Sequence, residues 1–458
     1  MANLATRKTR DVPWADGRVF AYVYDPGPEA MALVHEAFGL FLTENGLDPT
    51  AFPSAMQLER EIIAMACNLM HAPDGAVGSF TSGGTESILL SVKTARDRAR
   101  DLQPAIDRPE LVLPETAHAA FFKACQYFDV QPVVVPVDPE TFRADPDAMA
   151  AAITPNTILL VASAPSYAHG MVDPIGAIGE IASAHSLLFH VDACMGGMYL
   201  PFAGNDIEPF DFRVPGVTQL SMDFHKWGYA AKGASSVLYR SADIRRYQIF
   251  AWSGWTGYSV VNPTILSTRG AGPLAACWAI INHLGRSGYE AIVADCQQAS
   301  RRIREAIDEI PGLYCLGHSD CNLFSFASDQ LNVFTLAEDM RARGWYIQPQ
   351  FGFGPSPANV HLSVGRGNVD YVDAFIEDLL EAAAGVHRSG PVPVGAEPAL
   401  SAMPPDRLFE YIGELTGTDG TDLPERMDRI NSLLNGLPHG QRDRLLAEFI
   451  NRLYAPAR

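Results

Sequence analysis

The chain has 458 residues, of which 47% are hydrophobic, and its formal net charge at pH 7 is -19. This length exceeds what one hydrophobic core usually serves, so we expect a large domain accompanied by smaller pieces. The negative charge excludes nucleic acids and anionic membrane surfaces as partners, because both require basic patches on the protein.

The first residues and the cysteines indicate the compartment. Residues 1–16 lack the apolar core of a secretory signal, and no run in the chain approaches the ~20 apolar residues of a membrane helix. The seven cysteines are scattered and show no Cys-x-x-Cys spacing, which favours reduced thiols over disulfides or a zinc site. We therefore expect a cytoplasmic protein without a transmembrane segment.

An N-terminal segment, residues 1–55, is expected to precede the main domain. Apolar residues recur at helical spacing over residues 30–42 and again over residues 56–70, which predicts two helices. Asn45-Gly46 and Pro49 lie between them and are typical of turns.

A glycine turn that opens a helix lies within residues 79–100. The sequence Ser82-Gly83-Gly84-Thr85 allows close approach of the backbone, and apolar residues follow at helical spacing. The free N–H groups and the dipole of such a helix start suit a phosphate group, and the Thr85 hydroxyl adds a hydrogen bond. Gly-Gly-Thr alone is a weak signal, since any loop entering a helix can carry it. The chain lacks a Gly-Lys-Ser/Thr motif at this turn, so a nucleotide site is a poor interpretation.

Helices alternate with short apolar runs from about residue 81 to about residue 238. This alternation predicts an α/β fold, with a mostly parallel sheet covered by helices on both faces and ligands at the carboxyl ends of its strands. His118, Asp192 and Lys226 all fall at such ends. A lone histidine such as His118 is more often structural, and His169 is as readily a loop cap as a site residue.

Lys226 stands in the stretch SMDFHKWGYAAKGASSVLY, residues 221–239. We expect Phe224, Trp227 and Tyr229 to desolvate its amine and to lower its pKa, because only a deprotonated amine forms a Schiff base with an aldehyde. Taken alone, the lysine also fits the polar end of a buried strand.

Asp192 ends the apolar run of LLFHVDACMGG, residues 187–197. A buried carboxylate needs a cationic partner, and the protonated pyridine nitrogen of pyridoxal phosphate is such a partner. An aspartate in a strand-to-loop turn is the structural alternative. The occurrence of Lys226 at a later strand end favours a pyridoxal phosphate site.

Five segments resemble the sphingosine-1-phosphate lyase family: TSGGTES, PETAHAAFFKACQYF, YAHGMVDPIGAI, FHVDACMGG and DFHKWGYAAKGASSVLY. This family consists of fold-type-I pyridoxal phosphate enzymes related to the group II amino-acid decarboxylases. The similarity extends from about residue 17 to about residue 385. It implies a large cofactor-binding domain, residues 56–275, and a smaller C-terminal α/β domain, residues 276–386.

The resemblance also implies roles for individual residues. It implies Lys226 as the Schiff-base lysine, Asp192 as the partner of the pyridine nitrogen, and His118 as the imidazole stacked on the ring. Near the cofactor phosphate it implies Gly84, Thr85 and His225, beside Gly83 of the same turn. Lys232 and Tyr24 are implied near the substrate, although a surface turn and a packed aromatic are the structural alternatives.

Three positions depart from the family pattern. Asp48 stands where the family usually has histidine, and Tyr258 and Val260 fall where it has glycine and tyrosine. These departures concern the choice of substrate rather than the cofactor. In the family the loop equivalent to residues 250–272 crosses a dimer interface, so the resemblance implies a homodimer with shared active sites.

The implied reaction is cleavage of the Cα–Cβ bond in a 2-amino-3-hydroxy substrate of the sphingosine 1-phosphate type, which gives an aldehyde and an amine. Lys226, His118 and Lys232 are all possible proton carriers. An amino-acid decarboxylase is the second interpretation and an aminotransferase the third. A catalytically silent scaffold would not need these site residues together.

Residues from about 274 to about 384 are predicted to form helices and short strands, which fits the small domain. Helices are expected over residues 274–284 and 289–307. Residues 387–405 are rich in Pro, Gly and Ala and are predicted to be a linker. The tail, residues 406–458, carries amphipathic helical patterns, and we expect it to dock onto the body or the dimer.

Overall fold

The computed structural model describes residues 2–9, 11–204, 207–389 and 426–456, with isolated positions between 404 and 424. From residue 390 onwards the predicted linker lies outside the described residues.

Three helices precede the main sheet: α1 (Ala2–Lys8), α2 (Pro28–Leu40) and α3 (Pro53–Leu69). The helices predicted over residues 30–42 and 56–70 both exist but begin two or three residues earlier. Pro28 and Pro53 cause this shift, because proline is well suited to the first turn, where its missing N–H is not needed.

A seven-stranded sheet forms the centre of the large domain. Its strands are β1 (Val77–Thr81), β2 (Glu110–Pro114), β3 (Gln131–Val135), β4 (Thr157–Ser163), β5 (Leu188–Asp192), β6 (Gln219–Asp223) and β7 (Ser235–Tyr239). Their order across the sheet is β1-β7-β6-β5-β4-β2-β3. Strand β7 runs antiparallel to both neighbours, and the remaining pairs are parallel. The mostly parallel sheet predicted from the sequence is thereby confirmed.

Helices cover both faces of this sheet. They are α4 (Gly84–Leu102), α5 (Ala120–Phe128), α6 (Pro146–Ala151), α7 (Ile175–Ala184) and α8 (Ala242–Arg245). Side chains of successive residues in one strand point to opposite faces of the sheet. Leu111 of β2 packs in the core under α4 and α5, whereas Val112 belongs to the core under α7. Burial on both faces explains why the strands are continuous apolar runs.

A hairpin and a long helix connect the large sheet to a smaller one. The hairpin consists of β8 (Phe250–Trp252) and β9 (Val260–Asn262), and the helix is α9 (Gly272–Glu309). Gly285 interrupts α9 with a left-handed φ of 58°. The two helices predicted over residues 274–284 and 289–307 therefore correspond to the two arms of α9.

The smaller sheet is antiparallel, with the order β10-β11-β13-β12. Its strands are β10 (Leu313–Cys315), β11 (Leu323–Ser328), β12 (Gln348–Gln350) and β13 (Asn359–Ser363), and its helices are α10 (Val333–Ala342) and α11 (Val372–Ser389). A separate hydrophobic core joins these elements. Two C-terminal helices follow, α12 (Asp428–Asn435) and α13 (His439–Leu453), and α12 packs beside α10. Among the helices that the structure describes, none has the length and apolar character needed to cross a bilayer.

Candidate active site

A cavity of about 490 Å³ lies at the carboxyl ends of the central strands. Its lining includes the last residues of three neighbouring strands, Ser163, Asp192 and Asp223. The predicted site residues that line it are Gly83, Gly84, Thr85, His118, Asp192, His225, Lys226 and Lys232. Residues from five separate parts of the sequence thus meet in one place, as expected for the strand ends of a parallel sheet.

Lys226 lies in the loop between β6 and β7, which run antiparallel and keep the loop ends together. The N–H of His225 donates to the carbonyl of Ala234 at 2.9 Å. Phe224 and Trp227 are buried and anchor the loop in the core. The lysine is therefore presented to the cavity by a short, firmly packed loop.

The amine of Lys226 lies 3.0 Å from Oδ2 of Asp223. Burial lowers the pKa of Lys226, but the nearby carboxylate of Asp223 raises it, and the net pKa lies well above the ordinary value. The prediction of a lowered pKa is therefore wrong. It considered the aromatic neighbours but not the carboxylate three residues upstream, which the strand end brings back towards the amine.

Asp223 is a site residue that the sequence analysis missed. It is 2% exposed, and within the described residues its Oδ1 atom has no hydrogen-bond partner. Burial raises its pKa, but Lys226 and His225 outweigh this effect, so the net pKa is lowered. The spacing Asp-x-x-Lys at the end of an apolar run could have indicated Asp223 as a site residue.

Asp192 ends β5 and is 7% exposed. Its Oδ1 atom accepts hydrogen bonds from the N–H of Cys194 at 3.0 Å and from the hydroxyl of Ser221 at 3.2 Å. Nε2 of His190 lies 3.1 Å from the same Ser221 hydroxyl, and burial lowers the pKa of His190 to about 4. A neutral, buried network therefore fixes the orientation of the Asp192 carboxylate.

The start of α4 forms one wall of the cavity. The residue that precedes the helix, Gly83, has no side chain to cap the first N–H groups. A Cβ atom on Gly84 would lie 2.9 Å from both Asp223 Oδ2 and Cys194 Sγ, so only glycine fits there. The first turn of α4 therefore presents backbone N–H groups to the cavity, as an anion site requires.

His118 lies in the loop between β2 and α5 and is solvent-exposed at the edge of the cavity. Its Nδ1 atom accepts a hydrogen bond from the N–H of Ala120 at 3.2 Å. Desolvation lowers the pKa of His118, although Asp192 acts in the opposite direction. Because Nδ1 accepts this hydrogen bond, the neutral form of the ring carries its proton on Nε2.

Lys232 lines the cavity, and Tyr24, which is not among the lining residues, packs beside Lys232. The amine of Lys232 is 4.7 Å from the centre of the Tyr24 ring and donates to the carbonyls of Tyr22 and His225. Desolvation and the charge of Lys226 lower the pKa of Lys232 to about 8. Burial raises the pKa of Tyr24 to about 12, and its ring packs edge-on against Trp227. Tyr24 therefore contacts the site through Lys232.

His169 lies outside this cavity. It is 3% exposed, its Nε2 atom is 2.9 Å from the hydroxyl of Ser356, and burial lowers its pKa to about 4.

Within the described part of the chain, no three His, Cys, Asp or Glu side chains come together as metal ligands would.

The residues present fit pyridoxal phosphate. The cavity contains an amine, a fixed buried carboxylate and a helix start without a side-chain cap. It also contains a buried polar atom of the described residues that lacks a partner, Nδ1 of His225. The amine suits an aldehyde, the carboxylate suits a pyridine nitrogen, and the helix start together with the His225 ring suits a phosphate.

Comparison with known proteins supports the same cofactor. The family described as "Pyridoxal-dependent decarboxylase conserved domain" matches residues 10–327, and a family model for a C-terminal domain of pyridoxal-dependent enzymes matches residues 377–452. A sphingosine-1-phosphate lyase of Oryza sativa subsp. japonica is 39% identical over 88% of this chain and 76% of its own length. The corresponding protein of Dictyostelium discoideum is 37% identical over 91% of this chain and 79% of its own length.

Two solved structures extend the comparison. The sphingosine-1-phosphate lyase of Burkholderia pseudomallei superposes with a TM-score of 0.79 at 36% identity, covering 84% of this chain and 89% of that chain. The glutamate decarboxylase of Lactobacillus brevis shares the fold, with a TM-score of 0.73 at 21% identity over 85% of this chain and 93% of its own. The chain is therefore a pyridoxal phosphate-dependent lyase of the pyridoxal-dependent decarboxylase family and belongs, within that family, to the group of the sphingosine-1-phosphate lyases.

Proposed function

We propose that this enzyme cleaves the Cα–Cβ bond of a 2-amino-3-hydroxy substrate that carries a phosphate, as in sphingosine 1-phosphate. The products are an aldehyde and a phosphorylated amine. The observation that carries this proposal is the second amine, Lys232, beside a cavity that already contains Lys226 and Asp192. A cation at that place suits an anionic substrate end, and the enzymes that are 36–39% identical to this chain include lyases of sphingosine 1-phosphate.

Each site residue has a proposed role. Lys226 would hold pyridoxal phosphate covalently through Nζ, and Asp192 would hold the proton on its ring nitrogen. Gly83, Gly84, Thr85 and His225 would bind its phosphate, and His118 would lie against its ring. When bound, the cofactor supplies an electron sink for the bond that breaks at Cα.

The geometry favours Lys226 as the proton carrier. The His118 ring has its proton on Nε2 and accepts at Nδ1 from the backbone, so its neutral form offers no free lone pair to the substrate. The Lys232 amine is directed to two carbonyl groups. Lys226 instead has Asp223 at 3.0 Å, which stabilises the charged amine after it has taken a proton from the 3-hydroxyl group.

A product assay tests the proposed reaction. The purified holoenzyme is incubated with phosphorylated sphingoid bases, with free 3-hydroxy amino acids and with common amino acids. We expect long-chain aldehyde from the first group and no carbon dioxide from any. Release of carbon dioxide without aldehyde would instead assign the enzyme as a decarboxylase.

The pH dependence of substrate binding tests the role of Lys232. Its pKa is about 8, so the amine loses its charge as the pH rises through that value. We therefore expect the KM for a phosphorylated substrate to rise severalfold between about pH 7 and about pH 9. Lys232→Arg keeps its charge over this range and should show a flat KM profile. An equal rise of KM in the variant would contradict the role.

We propose that the enzyme is a cytoplasmic homodimer formed through the β8–β9 hairpin. Five apolar side chains of this region are each between 50% and 62% exposed: Phe250, Trp252, Trp255, Tyr258 and Val261. Beside them lies a groove of about 660 Å³ lined in part by Asp48 and Tyr258, two of the residues that depart from the family pattern. Such a concentrated apolar surface supports an interface, and the seven free thiols fit a reducing compartment.

Charge placed on the hairpin should separate the subunits. The double variant Trp252→Glu with Trp255→Glu is expected to sediment as a monomer and to lose most of its activity, since the sites are proposed to be shared. Leu102→Glu, on the exposed end of α4, is the matched control and should remain dimeric. An active wild-type enzyme that sediments as a monomer would refute the proposed interface.

A further inference from the structure

A second cavity of about 240 Å³ adjoins the first. His118 and Tyr167 line both cavities, so the second opens where the first ends. The hydroxyl of Tyr167 is held by Oε1 of Gln348 at 2.6 Å, which fixes the ring between the two spaces. A substrate that reacts in the first cavity can therefore extend into the second.

The lining of the second cavity suits an uncharged chain. Much of its wall is apolar, with Val137, Phe142, Phe351 and Phe353. Among the described residues that line it there is no lysine or arginine, and Glu115 contributes a carboxylate. An anionic substrate end is disfavoured here and favoured at Lys232, whereas a hydrocarbon chain gains by leaving water.

The turn that forms one wall is built to a fixed shape. Phe353 and Ser356 exchange two backbone hydrogen bonds, at 2.9 and 3.0 Å. Gly354 has a φ of +55°, and a Cβ atom there would lie 2.4 Å from the Glu115 carboxylate. Glycine is therefore required at the tip of the turn, where it presses against the strand-end loop of the large domain.

The C-terminal helical pair, residues 426–456, holds the other side of this wall. Phe351 packs against its apolar cluster of Ile430, Leu433, Leu434, Leu437 and Leu445. The guanidinium carbon of Arg442 lies 4.5 Å from the centre of the Phe351 ring, and Oδ1 of Asn435 accepts the N–H of Gly352 at 2.7 Å. The pair therefore contacts the side chain of Phe351, which lines the cavity, and the backbone of Gly352 next to it.

We propose that the second cavity binds the hydrocarbon chain of the substrate and that the C-terminal helical pair sets its width by holding Phe351 in place. This inference rests on the proposed function, since it takes the substrate to be an amine with a chain beyond the reacting carbon. The helical pair is then a specificity element that touches no reacting atom. Arg442 and Asn435 are positioning residues, because they act through Phe351 and Gly352.

Binding of uncleavable probes tests the inference without chemistry. The probes are 2-aminoalkyl phosphates of increasing chain length that lack the 3-hydroxyl group, and their binding is followed by the absorbance of the cofactor in the holoenzyme. For the wild type we expect the affinity to rise about fourfold with each methylene group until the cavity is filled. In Arg442→Ala and Asn435→Ala the gain in affinity per methylene group should fall below about twofold, because Phe351 is no longer held in place.

Two controls keep the test specific. Arg444→Ala removes the same side chain from an exposed position of the same helix and should retain the wild-type gain. The shortest probe, 2-aminoethyl phosphate, should bind all variants equally, which shows that the cofactor site is intact. Thermal unfolding of each variant confirms that it is folded.

The outcomes separate this inference from the proposed function. Equal gains per methylene group in the wild type, Arg442→Ala and Asn435→Ala would overturn the role of the helical pair. A wild-type affinity independent of chain length would overturn the chain site itself. If chain length affects binding as expected but the 3-hydroxy counterparts release no aldehyde, the proposed reaction fails and the chain site stands.

Discussion

Replacing Lys226 with alanine should abolish the visible absorbance band of the bound cofactor and lower the cleavage rate by about a thousandfold or more. The reason is that Nζ of Lys226 is proposed both to hold the cofactor and to carry the proton. The substitution also leaves the buried carboxylate of Asp223 without its partner at 3.0 Å. Loss of one member of a buried pair costs about 3–5 kcal/mol, so a lower melting temperature is expected as well.

Lys226→Arg separates the loss of the covalent link from the loss of the positive charge beside Asp223. A guanidinium keeps a positive charge beside Asp223 but does not form the covalent link with an aldehyde. This variant should therefore melt close to the wild type while lacking the absorbance band. Retention of the band and of activity in either variant would show that another amine, such as Lys232, holds the cofactor.

The second large effect is expected for Asp192→Asn, which should lower the cleavage rate by about a hundredfold or more. An asparagine oxygen still accepts the two hydrogen bonds from Cys194 and Ser221, so the local packing is kept. The negative charge is lost, however, and the cofactor nitrogen then has no group to hold its proton. Steady-state kinetics with a cofactor-saturated enzyme measure this effect.

Asp211→Asn serves as the control for Asp192→Asn. Asp211 is buried like Asp192, but it pairs with Arg213 and His71 and does not line the cavity. Its substitution should lower stability and leave the rate per folded enzyme unchanged. If the two variants lose activity in proportion to their loss of stability, Asp192 has a structural role only.

Local sequence patterns predicted the placement of the main site residues. Asp192 ends an apolar run, and such a run forms a buried strand whose carboxyl end points to the ligand side of a parallel sheet. The glycine turn before α4 was predicted from the same reasoning. Strand ends and helix starts are defined by residues close in sequence, so they can be predicted from one chain.

The raised pKa of Lys226 was not predicted from the apolar sequence pattern. The pattern around the lysine indicates burial, and burial alone lowers the pKa of an amine. The opposite outcome depends on the distance between Asp223 and Lys226, which is set by the end of β6 and the loop after it. The spacing Asp-x-x-Lys indicates that the two groups are close, whereas the apolar pattern alone does not.

The second cavity is a product of tertiary structure. It joins Glu115, Tyr167 and Ser356, which are far apart in sequence, and the helical pair supports it from the C-terminal end of the chain. Amphipathic spacing predicted that the tail would dock, because its helices have an apolar face. The spacing did not indicate that the docking partner is Phe351.

The link between Lys226 and the cofactor can be located directly. The holoenzyme is treated with borohydride, which converts the link into a stable bond, and the digested protein is then analysed by mass spectrometry. We predict that Lys226 carries the reduced cofactor and that Lys232 does not. A cofactor found on Lys232, or on no lysine at all, would contradict the account of this site.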